Sequence, residues 1–102
     1  KPGFAVTIIL ASKGYPGSYQ KGDIITGIEA AESMDDIVVF HAGTKINEHG
    51  NLVTSGGRVL NVTATASKLE DALTKAYAAV EKIHFEGMQY RKDIGKRPPA
   101  IN

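Results

Sequence analysis

VLNVTATASKLEDALTKAYAAVEKI, Val59 to Ile83, changes its hydrophobic period partway along, and that change sets the fold class. In the first part, alternation puts Val59, Asn61, Thr63 and Thr65 on one face and Leu60, Val62, Ala64 and Ala66 on the other. This is a strand with one packed face and one half-polar face. Ser67-Lys68-Leu69-Glu70 then reads as a capping box, in which serine and glutamate side chains each satisfy an otherwise free amide. Leu69, Ala72, Leu73, Ala76, Tyr77, Val80 and Ile83 follow at i, i+3, i+4 spacing, which predicts an amphipathic helix. It should end near Ile83 to Phe85, with Gly87 as the stop.

Upstream, FAVTIILA (4–11) is apolar apart from one threonine and rich in β-branched residues, so it reads as a strand buried on both faces. Ser12 to Gly22, SKGYPGSYQKG, packs glycines, a proline and tyrosines into a punctuated loop. Asp23 to Ile28 reads as a second strand and Ile37 to Phe40 as a third. Thr44–Asn47 and Leu52–Thr54 form a hairpin around Glu48-His49-Gly50-Asn51, with Gly50 supplying the positive φ. Strands followed by one long helix predict an α+β fold, a small antiparallel or mixed sheet with the helix packed on one face. Gly95 and Pro98-Pro99 mark the end of the domain, taken as residues 1–97, with 98–102 the start of a linker or tail.

At 102 residues the chain is a single domain, with a core but no room for a large enclosed active site. Twelve Lys+Arg against eleven Asp+Glu leave a net charge of +1, so no global field favours nucleic acid or an anionic membrane. Any anion site must be local. The lack of cysteine removes disulfides and thiolate chemistry and fits a reducing, cytoplasmic setting. No apolar run approaches the roughly 18 residues of a membrane span. The chain starts at Lys1 and closes on Pro-Pro-Ala-Ile-Asn, so both ends look cut from something longer.

Most catalytic constellations are missing. His41, His49 and His84 do not pair at metal-ligand spacing, Ser18 lacks a G-x-S-x-G elbow, and Asp35 and Asp36 read as a solvated turn. Ser55-Gly56-Gly57-Arg58 is not a nucleotide P-loop. Two glycine corners remain, Ala42-Gly43-Thr44 beside Lys45 and Ser55-Gly56-Gly57 beside Arg58, at the two ends of the hairpin. Glycine lets a turn aim backbone N–H groups at an anion; arginine can chelate phosphate bidentately and lysine adds a point charge. A hairpin whose glycines serve only tight turns fits the same residues. The Gly14-Tyr15-Pro16-Gly17-Ser18-Tyr19 loop is either a rigid ligand rim or a packed Ω-type loop.

The blocks ASKGYPGSYQKGD, VVFHAGT, TSGGRVL, VTA and AYAAVEKIHFEGMQYRKDIG, in this order and spacing, closely resemble the carboxy-terminal domain of the glycinamide ribonucleotide synthetase family. The likeness runs from about Ala5 to Gly95. It implies an ATP-grasp ligase of de novo purine synthesis that joins glycine to 5-phosphoribosylamine with ATP and Mg2+. It also implies that upstream domains hold the nucleotide and metal, while this domain packs on them and closes the phosphoribosylamine side of the cleft. The fragment alone would be inactive and bind no cofactor. On this resemblance His41, Gly43, Thr44 and Lys45, with Ser55, Gly56, Gly57 and Arg58, recognise the ribose phosphate. Gly14, Tyr15 and Pro16 sit at the rim nearest glycine and the amine, and Asp93-Ile94-Gly95 serves as a docking segment. Lys13 and Asn61 depart from the family pattern, which usually has glycine at both. Implied partners are the two substrates, the enzyme's own N-terminal and ATP-grasp domains and, given the proline-rich tail, a fused aminoimidazole ribonucleotide synthetase. A free-standing sugar-phosphate-binding module and a purely structural docking domain remain alternatives.

Overall fold

The computed structural model describes residues 3–15, 17–18 and 21–92. Strands β1 (Phe4–Ala11), β2 (Ile37–His41) and β5 (Arg58–Ala66) form an antiparallel sheet in the order β1-β5-β2. Strands β3 (Thr44–Ile46) and β4 (Leu52–Thr54) form a separate antiparallel ribbon. A short helix α1 (Ile28–Glu32) precedes β2, and α2 (Leu69–Val80) follows β5. This is the expected α+β arrangement. No helix among the described residues is long and apolar enough to cross a membrane.

Helix α2 lies across β1 and β5 and presents Ala72, Ala76, Ala79 and Val80, all inaccessible to solvent. Small residues let the helix axis approach the sheet, where Ile8, Leu10, Leu60, Val62 and Ala64 fill the interface. Each fully buried Val, Leu or Ile contributes about 1.5–3 kcal/mol through removal of apolar surface from water. Phe85, just beyond the helix, is the largest fully buried side chain and caps this core.

Four expectations need correction. β1 is not buried on both faces: Val6, Ile8 and Leu10 face the helix, while Ile9 is 43% exposed on a face that no described layer covers. Asp23 to Ile28 is not a strand. Ile24 bridges Val53 of the ribbon and Thr26 bridges His84 beyond α2, so the segment ties two elements together one residue at a time. Gly27, at φ 90°, then turns the chain into α1; a Cβ there would overlap the Lys82 carbonyl. The capping box does not form, because Ala66 is still paired with Phe4 and the helix starts only after an extended Lys68. Lastly, α2 stops at Val80 rather than near Ile83, since His84 must reach Thr26 for two 2.9 Å backbone hydrogen bonds.

The hairpin turn is as expected. Asn47 Oδ1 accepts the N–H groups of His49 (2.9 Å) and Asn51 (3.0 Å), and Gly50 adopts φ 84°. Met88 and Tyr90 pack against the core edge. Asp93-Ile94-Gly95 and the tail lie outside the described residues.

A candidate phosphate corner built from three loops

The two glycine corners touch. Gly43 sits so close to the second corner that a Cβ on it would overlap the Arg58 carbonyl oxygen and lie 2.9 Å from Gly56 Cα. Backbone bonds fix the approach: Ser55 N–H donates to the Gly43 carbonyl at 2.8 Å, and the Ala42 and Gly43 N–H groups both donate to the Val59 carbonyl at 3.0 and 3.1 Å. The Ala42 bond continues the β2–β5 register by one pair beyond His41 and Leu60, while on the other side of β5 the register with β1 slips. Leu10 pairs with Leu60 but Ala11 with Arg58, leaving Val59 as the extra residue of a β-bulge. Such a bulge bends the strand end and redirects the neighbouring side chain. Arg58 consequently emerges exposed at the sheet corner while Val59 is fully buried.

The third loop closes over the same corner. Ser12, 2% exposed at the end of β1, receives no solvent; its N–H donates to the Gly57 carbonyl at 2.8 Å and its hydroxyl to the Gly56 carbonyl at 3.2 Å. Tyr15, whose N–H bonds back to the Ser12 carbonyl at 3.1 Å, lays its ring on Gly57, occupying the space a side chain would take. Gly14, at φ 93°, forms the turn and accepts a 2.7 Å hydrogen bond from Gly17 N–H. Pro16 lies outside the described residues.

On the hairpin side, His41 Nδ1 and Thr44 Oγ1 are hydrogen bonded at 2.9 Å, which locks the first turn. Lys45 follows on β3, opposite Val53, with its side chain exposed. Among the described residues neither Lys45 nor Arg58 forms an ion pair, and the Gly56 and Gly57 N–H groups donate to no backbone carbonyl. The carbonyls of Gly43, Gly56, Gly57 and Val59 are thus engaged while, among the described residues, two amides and two cations are left without such partners. That imbalance is what an oxyanion requires. The described residues hold no cluster of three or more His, Asp or Glu able to bind a metal ion.

Of the residues picked from the sequence, the structure knits His41, Gly43, Thr44, Tyr15, Ser55, Gly56, Gly57 and Arg58 into one corner. Lys45 stands two residues beyond Gly43, and Gly14 supports the Tyr15 loop. Ser12 was missed. A serine directly after an apolar strand carries no signal until the chain that passes over it is known. A groove of about 560 Å3 between Phe4, Asp36, Ala66, Asp71 and Lys75 lies at the other end of β5. At about 3.3 Å per residue that is roughly 26 Å from Arg58, so it is no part of this corner.

Comparison with known proteins agrees with this architecture. Residues 5–97 match the profile of the family described as phosphoribosylglycinamide synthetase, C domain. The chain belongs to that family. It is 51% identical over 99 residues to a bifunctional purine biosynthetic protein of Dictyostelium discoideum, covering 97% of this chain and 12% of that protein. It is 53% identical over 95 residues to a phosphoribosylamine–glycine ligase of Synechocystis, covering 93% of this chain and 22% of the relative. The crystal structure of the phosphoribosylamine–glycine ligase from Thermotoga maritima superposes with a TM-score of 0.78 at 44% identity, over 89% of this chain and 22% of that one. The chain therefore spans about an eighth to a quarter of the length of the relatives it matches.

Proposed function

We propose that this chain acts as the carboxy-terminal domain of a phosphoribosylamine–glycine ligase, where its glycine corner binds the phosphate of 5-phosphoribosylamine. The observation that carries this is the corner itself, in which, among the described residues, the carbonyls of Gly43, Gly56, Gly57 and Val59 are engaged while the Gly56 and Gly57 amides donate to no backbone carbonyl and Arg58 is exposed without an ion pair. In this reading Arg58 chelates the phosphate, Lys45 adds charge, and the Tyr15 loop forms the rim toward the amine and glycine. ATP and Mg2+ are held by ATP-grasp domains elsewhere in the polypeptide, and the 102 residues alone do not turn over substrate. The setting is cytoplasmic. Fusion to a further purine enzyme is supported by the bifunctional Dictyostelium relative.

The test is ligase turnover, dependent on both glycine and phosphoribosylamine, by the full-length enzyme with and without this domain. Activity lost on deletion and restored by adding the domain back supports the reading. Undiminished activity after deletion refutes it.

A further inference from the structure

We infer that Ser12 is a positioning residue for phosphoribosylamine, clamping both peptide planes of Gly57 so that the corner is set before a phosphate arrives; the assignment rests on the reading above. All three polar groups of Ser12 are committed to this corner. Its hydroxyl donates to the Gly56 carbonyl at 3.2 Å, its N–H donates to the Gly57 carbonyl at 2.8 Å, and its own carbonyl accepts the Tyr15 N–H at 3.1 Å. The residue is 2% exposed, so water does not compete for these bonds.

Planarity turns the contacts into directions. A trans peptide holds its C=O and N–H antiparallel in one plane, so fixing a carbonyl also fixes the amide on the other side of the same bond. The Gly56 carbonyl shares its plane with the Gly57 N–H. Drawn toward the Ser12 hydroxyl, it aims that N–H away from Ser12. The Gly57 carbonyl shares its plane with the Arg58 N–H, so the Ser12 N–H anchors the root of the arginine in the same way. Gly57 is thus held on both sides by one residue from the end of β1.

A clamp is needed here for two reasons. Glycine loses more backbone freedom on ordering than any other residue, and this corner has two in succession. Gly57 is also buried, yet its N–H donates to no backbone carbonyl among the described residues. A shielded amide without a partner is unfavourable, and an unrestrained Gly-Gly segment would rotate to pair it elsewhere. The Ser12 hydroxyl opposes that rotation, because turning the plane would break its bond to the Gly56 carbonyl. The amide stays aimed for an oxyanion, and the loop need not be reordered when one binds, which is how preorganisation strengthens binding.

The experiment measures Michaelis constants and kcat in the full-length ligase carrying Ser12→Ala, Ser12→Cys or, as reference, Arg58→Ala. Alanine deletes the donor, whereas cysteine fills the space but donates only weakly. Both backbone bonds of Ser12 survive these substitutions, so the variants isolate the hydroxyl. Both should raise the phosphoribosylamine constant, by roughly two- to tenfold for alanine, as expected for one hydrogen bond, with the glycine constant and kcat unaltered. A merely structural role would instead lower kcat through the active fraction and leave both constants in place. A wild-type phosphoribosylamine constant in Ser12→Ala overturns the inference. So does a wild-type constant in Ser12→Cys alone, which would mean that the site needs volume rather than a hydrogen bond. If Arg58→Ala raises the phosphoribosylamine constant and Ser12→Ala does not, only this inference falls. If Arg58→Ala leaves that constant unaltered, the phosphate reading falls and takes the inference with it.

Discussion

Replacing Gly43 with alanine probes the joint between the two corners. Gly43 has an ordinary backbone conformation, so the effect is one of space alone. The new methyl would overlap the Arg58 carbonyl and approach Gly56 N to 3.0 Å. Restoring a normal contact requires the turns to part by about 1 Å, which stretches the 2.8 Å Ser55-to-Gly43 bond and the paired bonds to Val59 past useful length. Overpacking costs about 1–3 kcal/mol, and one or two weakened hydrogen bonds add about 0.5–1.5 kcal/mol each. The total is about 1.5–6 kcal/mol. In urea unfolding of the 102-residue chain, with a slope of about 2 kcal/mol per molar, the midpoint should fall by about 1–3 M. Gly50→Ala is the control: its Cβ meets nothing within 4 Å, and only the φ of 84° is unfavourable, worth about 1–2 kcal/mol. A Gly43→Ala midpoint equal to wild type, or no lower than that of Gly50→Ala, would refute the close approach.

Other expectations follow from the same packing. Gly57→Ala should expel the Tyr15 ring without unfolding the domain, because the obstacle is a side chain that can swing away; tyrosine fluorescence should change while far-ultraviolet circular dichroism does not. Phe85→Ala should destabilise the chain by about 3–5 kcal/mol, as for a large fully buried aromatic, measured by the same urea titration. Lys75 donates to Asp36 Oδ2 at 2.8 Å, and this hydrogen bond is the main cause that raises the lysine pKa above 10.5. Because the folded value is the higher one, the contribution is complete below pH 10.5 and is lost as pH rises through the folded value. The stability difference between wild type and Lys75→Met should accordingly shrink above pH 10.5 and with added salt, as screening of an exposed pair requires.

Local periodicity made the strand-to-helix segment legible, and the hairpin was legible from Gly50 and its polar neighbours. What could not be read were features imposed from a distance. The end of α2 is set by Thr26, which claims His84, and its start by Phe4, which holds Ala66 in the sheet. The apolar run of β1 was read as covered on both sides, and in this chain only one side is. The site was partly legible because glycine beside a cation is a local signal. Its assembly was not, since the Val59 bulge and the Ser12 bridge join residues more than forty positions apart.

The most direct test of the account is the Michaelis constant for phosphoribosylamine in the full-length ligase carrying Arg58→Ala or Arg58→Lys. Loss of a charge-assisted contact worth about 1.5–3 kcal/mol should raise that constant roughly ten- to hundredfold in the alanine variant. The constant for glycine should stay unchanged, and lysine should rescue only partly because it lacks the bidentate fork. An unaltered phosphoribosylamine constant in Arg58→Ala would contradict the assignment of the corner as the phosphate site.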